Sequence, residues 1–299
     1  MIIFKGKTLN VLSVFDGMGC GAQALKNVGV KFSYYSSEID KWAMAISKHN
    51  QQDSIQIGDI TKASYNEGVL YTDNGEHRVK FDIYMGGSPC QSISTMGDGS
   101  GLEGKSGLFY HWLRLRDEAN PEWWLLENVR GNKKAIETIT NLLGVDPVHI
   151  CSSDFSAQKR SRLYWTNIPI LPWEKKNIFL KDILDVEPNQ EESVLKEGRL
   201  NWLLHGKGQD ALEKRYVTID PLKANCLTAR SDASWNCNYV TGSDGIVRKL
   251  TVAEYEKLQT LPIGYTNVEG IPTREKYKMI GNGWTVDVIS HILSGMLHS

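Results

Sequence analysis

The chain has 299 residues, of which 41% are hydrophobic and 23% are charged, and its formal net charge at pH 7 is −1. This length suffices for a large α/β domain, alone or with a small companion, around a sizeable hydrophobic core. The near-zero charge excludes a positive field over the whole chain of the kind that attracts nucleic acid. No stretch approaches the roughly 18 consecutive apolar residues of a membrane-spanning helix, so we expect a cytoplasmic protein.

The cysteines and histidines indicate neither a disulfide framework nor a metal site. The five cysteines are odd in number, widely spaced and without a Cys-x-x-Cys pair. The seven histidines form no His-x-x-x-His or Glu-x-x-His pair. We therefore predict that the protein binds no metal.

The predicted elements begin with a strand over residues 10–15, a glycine-rich turn over residues 16–21 and a helix over residues 22–27. This order lets a cofactor approach the backbone N–H groups at a helix N-terminus. The Gly-x-Gly-x-Gly spacing differs from the dinucleotide pattern Gly-x-Gly-x-x-Gly. Taken alone, the stretch therefore fits either a cofactor loop or a simple tight turn.

Carboxylates follow the next two predicted strands. Glu38 follows a strand over residues 32–37, about 20 residues after the first glycine, where nucleotide-binding folds carry the acid that holds ribose hydroxyls. Asp59 follows a strand over residues 54–57. Three successive strand ends with glycines or a carboxylate predict a site for a nucleoside-type cofactor. The first loop carries Asp16 and no lysine, so we expect that cofactor to lack phosphates.

A buried strand over residues 81–85 ends in two glycines, and Pro89 then precedes Cys90. Ligands of open α/β sheets bind at the carboxyl ends of the strands, so a thiol at this place is a candidate nucleophile. A small buried cysteine at a strand end is the alternative. The polar, glycine-rich residues 92–107 that follow predict a mobile lid. Residues 99–106 match the P-loop pattern without the strand that it requires, which indicates a chance match.

A helix over residues 108–119 and a strand over residues 123–126 lead to Glu127. This glutamate could face Cys90 across a pocket, or it could cap a helix or join an ion pair. Strands over residues 148–151 and 163–168 flank Arg160 and Arg162. Arginines at positions i and i+2 point to the same side of a strand, as an anion clamp requires; a solvated basic face is the alternative.

The composition changes near residue 169, and residues 169–225 predict a small separate lobe. A helix over residues 251–261 begins with a capping box of Thr251 and Glu254. Near the end of the chain, the sequence Gly281-Asn-Gly-Trp284 precedes a final amphipathic helix over residues 286–297.

Together these stretches resemble the cytosine-5 DNA methyltransferase family. Six motifs appear in family order between residues 10 and 297: Phe15-Asp-Gly-Met-Gly-Cys-Gly21, Ser88-Pro-Cys-Gln91, Glu127-Asn-Val129, Gln158-x-Arg-x-Arg162, Arg248-x-Leu-Thr-x-x-Glu254 and Gly281-Asn-Gly-Trp284. Their details are similar to the animal de novo methyltransferase group. Ile39 stands where some bacterial members carry a tryptophan, and the recognition region is short.

The resemblance implies a fold, a cofactor and a partner. The fold class is α/β, a doubly wound and mostly parallel sheet of the Rossmann-like methyltransferase type with a small second recognition lobe. The catalytic domain would comprise residues 1–168 and 273–299, and the recognition domain residues 169–272. The cofactor would be S-adenosyl-L-methionine, with S-adenosyl-L-homocysteine as the product, and the partner double-stranded DNA. We expect a monomer in a prokaryotic or phage-infected cell.

The resemblance also implies the roles of individual residues. Cys90 would attack carbon 6 of a flipped-out cytosine, and Glu127 would hold the N3 side while protonated or sharing a proton. The full catalytic set is Cys90, Glu127, Arg160 and Arg162. The cofactor-binding set is Phe15, Asp16, Gly17, Gly19, Glu38, Ile39, Asp59, Ile60, Pro89, Asn282 and Trp284.

Several readings of the function stay open at this point. A transfer-RNA cytosine-5 methyltransferase would use the same chemistry and the same motifs. A folate-dependent pyrimidine methylase, a non-catalytic DNA-binding paralogue and a P-loop ATPase fit the sequence less well. The biological role is also open among restriction protection, masking of phage DNA and epigenetic marking.

Overall fold

A computed structural model of the protein describes residues 6–89, 107–188, 193–205, 208–214, 217–230 and 238–298. Contacts divide the chain into two compact units. The first unit comprises residues 1–150, 161–172 and 288–299, and the second comprises residues 151–160 and 173–287. No helix over the described residues is long and apolar enough to cross a membrane.

The first unit is built on a seven-stranded sheet with a separate three-stranded sheet beside it. In chain order the strands are β1 (Thr8–Val14), β2 (Lys31–Ser37), β3 (Ile55–Gln56), β4 (Ser64–Asn66), β5 (Val69–Thr72), β6 (Gly75–Arg78), β7 (Ile83–Gly87), β8 (Trp123–Val129), β9 (Val148–Cys151) and β10 (Ser161–Thr166). The helices of this unit are α1 (Cys20–Val28), α2 (Lys41–Asn50), α3 (Leu108–Ala119) and α4 (Lys133–Leu143).

The order of the large sheet is β3-β2-β1-β7-β8-β10-β9. The pairs β1–β2, β2–β3, β1–β7 and β7–β8 are parallel, and β10 runs antiparallel to β8. The chain therefore winds outward from β1 in one direction and returns to β7 on the other side. The crevice at such a reversal is where open α/β sheets bind ligands. The predicted doubly wound, mostly parallel α/β fold is confirmed.

Apolar side chains from the central strands and α3 form the core of this sheet. Leu12 on β1, Tyr84 on β7, Leu126 on β8 and Trp112 on α3 are all fully buried in one cluster. The Tyr84 hydroxyl donates to the backbone carbonyl of Trp112 at 3.0 Å, which satisfies the one polar atom that this ring brings into the core.

The sequence predicted most of these elements but missed helices α2 and α4 and the small sheet of β4, β5 and β6. Each predicted strand of the large sheet is present, although β3 is only Ile55–Gln56. The small sheet pairs antiparallel through residues 64–78. Its strands are only three or four residues long, and β4 and β6 are largely exposed, so the segment lacks the longer apolar pattern on which strand prediction depends.

The second unit contains short helices and a small mixed sheet. Its elements are α5 (Glu197–His205), α6 (Gly208–Glu213), β11 (Thr218–Ile219), β12 (Asn238–Thr241), β13 (Val247–Lys249), α7 (Val252–Leu258) and α8 (Thr273–Asn282), and α9 (Val286–Ser294) begins in it. Strand β12 pairs parallel with β11 and antiparallel with β13. Buried Leu203, Val217 and Tyr239 form its small apolar cluster.

Helix α7 begins as the sequence predicts. The Thr251 side chain accepts from the Glu254 backbone, and the Glu254 carboxylate accepts from the Thr251 backbone, which forms the capping box. Glu254 also binds Arg248 through two contacts of 2.8 Å. Helix α8 has no counterpart among the predicted elements. The division into compact units does not coincide with the predicted boundaries at residues 168 and 273, and the predicted domains stay a prediction.

Candidate active site

The turn after β1 has a backbone that only particular residues tolerate. Phe15 has a φ of 55°, Gly17 of 58° and Gly19 of 85°. A positive φ at a large residue such as Phe15 is unfavourable, and strain of this kind concentrates at functional sites. Helix α1 begins immediately afterwards at Cys20, so the turn and the helix N-terminus lie at the carboxyl end of the central strand.

The Asp16 carboxylate in this turn faces the interior. Its oxygens accept from the hydroxyls of Tyr34 at 2.5 Å, Ser13 at 2.7 Å and Ser47 at 3.4 Å. These partners belong to β2, β1 and α2, so one side chain connects three elements. Burial raises the pKa of Asp16 to about 6, and the three hydroxyl donors oppose that rise.

Glu38, at the end of β2, binds the same turn. One carboxylate oxygen accepts from the Gly17 backbone N–H at 2.9 Å, and the other accepts from the N–H groups of Ile39 and Asp40 at 2.7 and 2.8 Å. The Ile39 side chain is 74% exposed beside it. Glu38, the acid predicted to hold the ribose hydroxyls, is thus in contact with the glycine-rich turn predicted to bind the cofactor.

Asp59 lies just after β3, at the same edge of the sheet. Its side chain accepts from the Thr61 backbone N–H at 2.9 Å, and Ile60 is buried. The Ser37 hydroxyl at the end of β2 donates to the Gly58 carbonyl at 2.7 Å, which connects the two strand ends. The acids that follow β2 and β3 are therefore on adjacent strand ends, as the sequence predicts.

The end of β7 is closely packed. A methyl group at Gly86 would lie 2.7 Å from the Val14 carbonyl and 2.9 Å from the Trp112 ring, so only glycine fits. Buried Ser88 accepts from the Asn128 amide at 2.9 Å, which fixes the chain against the end of β8. The predicted nucleophile Cys90 and the predicted lid, except for Gly107, lie outside the described residues.

Glu127 and Arg162 form an ion pair at the ends of β8 and β10. Arg162 Nε lies 2.9 Å from Glu127 Oε1, and the two side chains are 13% and 11% exposed. The antiparallel register pairs Arg162 with Val129 and Glu127 with Tyr164. Glu127 is also opposite Gly87, the last residue of β7. Two of the predicted catalytic residues are therefore in direct contact beside the strand that leads to Cys90.

Arg160 has different partners from Arg162. Its side chain is buried in the second unit and donates to the backbone carbonyls of Leu227, Gly281 and Gly283 at 2.8, 3.1 and 2.9 Å. Arg160 thus binds backbone carbonyls, whereas Arg162 binds the Glu127 carboxylate, and the predicted anion clamp stays a prediction. Asn282, the exposed last residue of α8, and Trp284, which lies between α8 and α9, are sequence neighbours of Gly281 and Gly283.

Sequence reasoning missed the residues that support the site. The partners of Asp16 are hydroxyl side chains on β1, β2 and α2, and the sequence predicts the two strands but not the helix. Gln259, which donates to the Ile280 carbonyl at 2.8 Å and the Gly283 carbonyl at 3.0 Å, has no role among those predicted from the sequence. No local pattern reveals these partners, since they are distant in the sequence.

A comparison with known families decides the identity of the chain. The family described as C-5 cytosine-specific DNA methylase matches residues 9–168 and 171–298. The chain belongs to this family. The sequence-based recognition of the family is therefore confirmed, over nearly the whole chain.

Individual relatives of this family member include a phage and a bacterial enzyme. The orphan methyltransferase M.Rho11sI of Bacillus phage rho11s is 29% identical over 67% of this chain and 38% of the relative. The type II methyltransferase M.HaeII of Haemophilus aegyptius is 29% identical over 98% of this chain and 93% of the relative. The chain thus spans less than half the length of M.Rho11sI and nearly all of M.HaeII.

Solved structures agree on the fold of this family member. The Entamoeba histolytica methyltransferase EhMeth superimposes with a TM-score of 0.76 over 98% of both chains, at 16% sequence identity. Within the residues that the structure describes, no group of three or more His, Cys, Asp or Glu side chains could hold a metal ion. The absence of a metal from this family member stays a prediction.

Proposed function

We propose that the protein transfers a methyl group from S-adenosyl-L-methionine to carbon 5 of a cytosine in DNA. Family membership supports the reaction class. The single observation that carries the proposal is the ion pair between Glu127 and Arg162 beside the end of β7. It places an acid and a cation, which together match the polar edge of a cytosine, at the strand end that leads to the Cys90 thiol.

The chemistry requires a nucleophile because carbon 5 of cytosine is itself unreactive. In the proposal, the Cys90 thiolate forms a bond to carbon 6, and the displaced electron pair makes carbon 5 nucleophilic. Bound S-adenosyl-L-methionine would supply the electrophilic methyl group, and S-adenosyl-L-homocysteine would be the product. A base then removes the carbon 5 proton, and expulsion of the Cys90 thiolate restores the ring.

Glu127 and Arg162 would act on the polar edge of the base. A Glu127 carboxyl that carries or shares a proton donates to N3 as negative charge develops in the ring, and its other oxygen accepts from the amino group. The Arg162 guanidinium donates to O2 and stabilises the same charge. Without the base, each group compensates the charge of the other at low exposure, which keeps both side chains positioned.

The residues at the ends of β1, β2 and β3 fit the methyl donor in their chemistry. The Glu38 carboxylate is an acceptor for ribose hydroxyls, while exposed Ile39 and buried Ile60 offer apolar contacts to adenine. Phe15 and the Gly17 and Gly19 backbones form the turn, and Asp59 would accept from the adenine amino group. Asp16 would act indirectly, because its carboxylate binds three internal hydroxyls. Pro89, Asn282 and Trp284 stay predicted contacts.

The experiment that tests this proposal compares nucleic acids. Labelled methyl transfer is measured with unmethylated duplex DNA and with unmodified transfer RNA, for the wild type and for Cys90→Ala. We expect label in DNA cytosine that depends on Cys90. Transfer to RNA alone would replace the proposed substrate, and transfer that persists in Cys90→Ala would refute the mechanism.

A further inference from the structure

Arg160 binds backbone carbonyls at the end of α8. The guanidinium reaches the Gly281 carbonyl at 3.1 Å, the Gly283 carbonyl at 2.9 Å and the Leu227 carbonyl at 2.8 Å. The residue is only 4% exposed. The last carbonyls of a helix have no partner within the helix, and a cation there also meets the negative end of the helix dipole. Arg160 therefore caps α8 at its C-terminal end.

A second side chain holds the same turn. The Gln259 amide donates to the Ile280 carbonyl at 2.8 Å and to the Gly283 carbonyl at 3.0 Å. Gln259 is itself fixed by Gln158, which donates to its side-chain oxygen at 2.9 Å. The Gly283 carbonyl thus accepts from both Arg160 and Gln259. Arg160 and Gln259 are both buried, so loss of Arg160 weakens the hydrogen bonding of the turn, although the Gly283 carbonyl keeps its bond from Gln259.

The turn also packs against the segment around Leu227. A methyl group at Gly281 would collide with the Thr228 carbonyl and come within 3.0 Å of the Ala229 backbone nitrogen. Arg160 binds the neighbouring Leu227 carbonyl, so one guanidinium fixes both segments. Asn282, between the two bound glycines, is the exposed residue of the turn.

We propose that Arg160 is a positioning residue for the cofactor and has no contact with the target base. It would act by fixing the backbone of residues 280–283, so that Asn282 is held in one conformation before the cofactor binds. This inference rests on the proposed function, in which Asn282 contacts S-adenosyl-L-methionine. It gives the two arginines of one motif different roles. Arg162 would bind the target base, and Arg160 would fix the turn that contacts the cofactor.

The test compares Arg160→Met with Arg162→Met, which is the same change two residues away. Calorimetry measures the dissociation constant for S-adenosyl-L-homocysteine, kinetics give kcat and the KM for the methyl donor, and hydrogen exchange follows the amides of residues 279–285. For Arg160→Met we expect an affinity loss of about tenfold or more, as for removal of charge-assisted hydrogen bonds. The KM should rise by the same factor, kcat should stay within about threefold, and the turn should exchange faster.

Arg162→Met should give the reverse pattern, with a large loss of kcat, unchanged cofactor affinity and unchanged exchange in residues 279–285. Two further variants cover a failure of Arg160→Met to fold. Arg160→Lys keeps the charge and part of the hydrogen bonding, so its affinity loss should be intermediate. Gly281→Ala strains the same turn and should reproduce the affinity loss.

The outcomes separate this inference from the proposed function. A loss of kcat in Arg160→Met, with cofactor affinity and exchange unchanged, would overturn the inference. It would indicate instead that Arg160 acts on the target base. If the wild type neither binds S-adenosyl-L-homocysteine nor transfers methyl groups, the proposed function fails. Hydrogen exchange would then still show whether Arg160 fixes the turn.

Discussion

At the residue scale, the Asp16 carboxylate is buried among the hydroxyls of Ser13, Tyr34 and Ser47, and burial raises its pKa from 3.8 to about 6. A carboxyl with a raised folded-state pKa binds its proton more tightly in the folded than in the unfolded protein. Its contribution to the free energy of unfolding is therefore fully present below about pH 4 and is lost as the pH rises to about 6. The hydrogen bonds from the three hydroxyl groups partly offset the free-energy cost of burying the ionised carboxylate.

The substitution Asp16→Asn tests the predicted direction of this pH dependence of the free energy of unfolding. The amide cannot ionise, so the variant should lack the decline in the free energy of unfolding between about pH 4 and 6. The difference in that decline should be at most about 3 kcal/mol, since one pKa unit corresponds to about 1.4 kcal/mol. Urea unfolding at several pH values measures it, with exposed Asp53→Asn as the control. Equal slopes for Asp16→Asn and the wild type would contradict the account of Asp16.

Glu127→Gln tests the acid in the proposed site. Glutamine keeps the shape and can accept from Arg162, but it cannot supply a proton, so kcat should fall by about 10²-fold or more. Affinity for S-adenosyl-L-homocysteine should stay unchanged. Glu137→Gln, an equivalent change at an exposed position on α4, is the matched control for kcat. Wild-type kcat in Glu127→Gln would remove this residue from the mechanism.

At the scale of elements, the end of β7 depends on the absence of a side chain. Gly86 lies between the Val14 carbonyl on β1 and the Trp112 ring on α3, where an added methyl group would be within 2.9 Å of both. Neither neighbour can move freely, since Trp112 is fully buried and Val14 belongs to the central strand. The position of the chain that leads to Cys90 is thus set by the packing of three elements.

Gly86→Ala should destabilise the protein by about 1–3 kcal/mol, as overpacking of a core commonly does. It should also lower methyl transfer, because the end of β7 must shift. Gly198→Ala on α5 is the control, since a methyl group there meets nothing within 4 Å. Denaturant unfolding and kcat measure both effects. A Gly86→Ala protein with wild-type stability would show that β7 is not constrained as described.

The sequence anticipated the elements better than the contacts between them. The apolar residues of β1 and β2 are sufficient to predict both strands from the sequence. The glycines and acids at the ends of these strands then indicate where the cofactor site is expected. The small sheet of residues 64–78 was missed because its strands are only three or four residues long and two of them are mainly polar. The partners of Arg160 were missed because Leu227 and Gly281 are 67 and 121 residues away in the chain, and only tertiary folding brings them together.

At the scale of the whole molecule, family membership and fold are established, while the identity of the substrate is inferred from the candidate active site. The order of the sheet brings the turn after β1, Glu38 and the end of β7 to one edge. The ion pair of Glu127 and Arg162 lies beside the same strand. In the proposed function, this edge would combine groups for a nucleoside cofactor with groups for a pyrimidine, which is the combination that methylation of cytosine requires.

The measurement that tests the central claim most directly is the transfer of labelled methyl groups from S-adenosyl-L-methionine to unmethylated duplex DNA, followed by identification of the labelled nucleoside. Wild type and Cys90→Ala are compared at equal cofactor occupancy. We predict 5-methylcytosine at a short recurring sequence with the wild type and none with Cys90→Ala. The absence of labelled cytosine in DNA, with cofactor bound to the wild-type protein, would contradict the account.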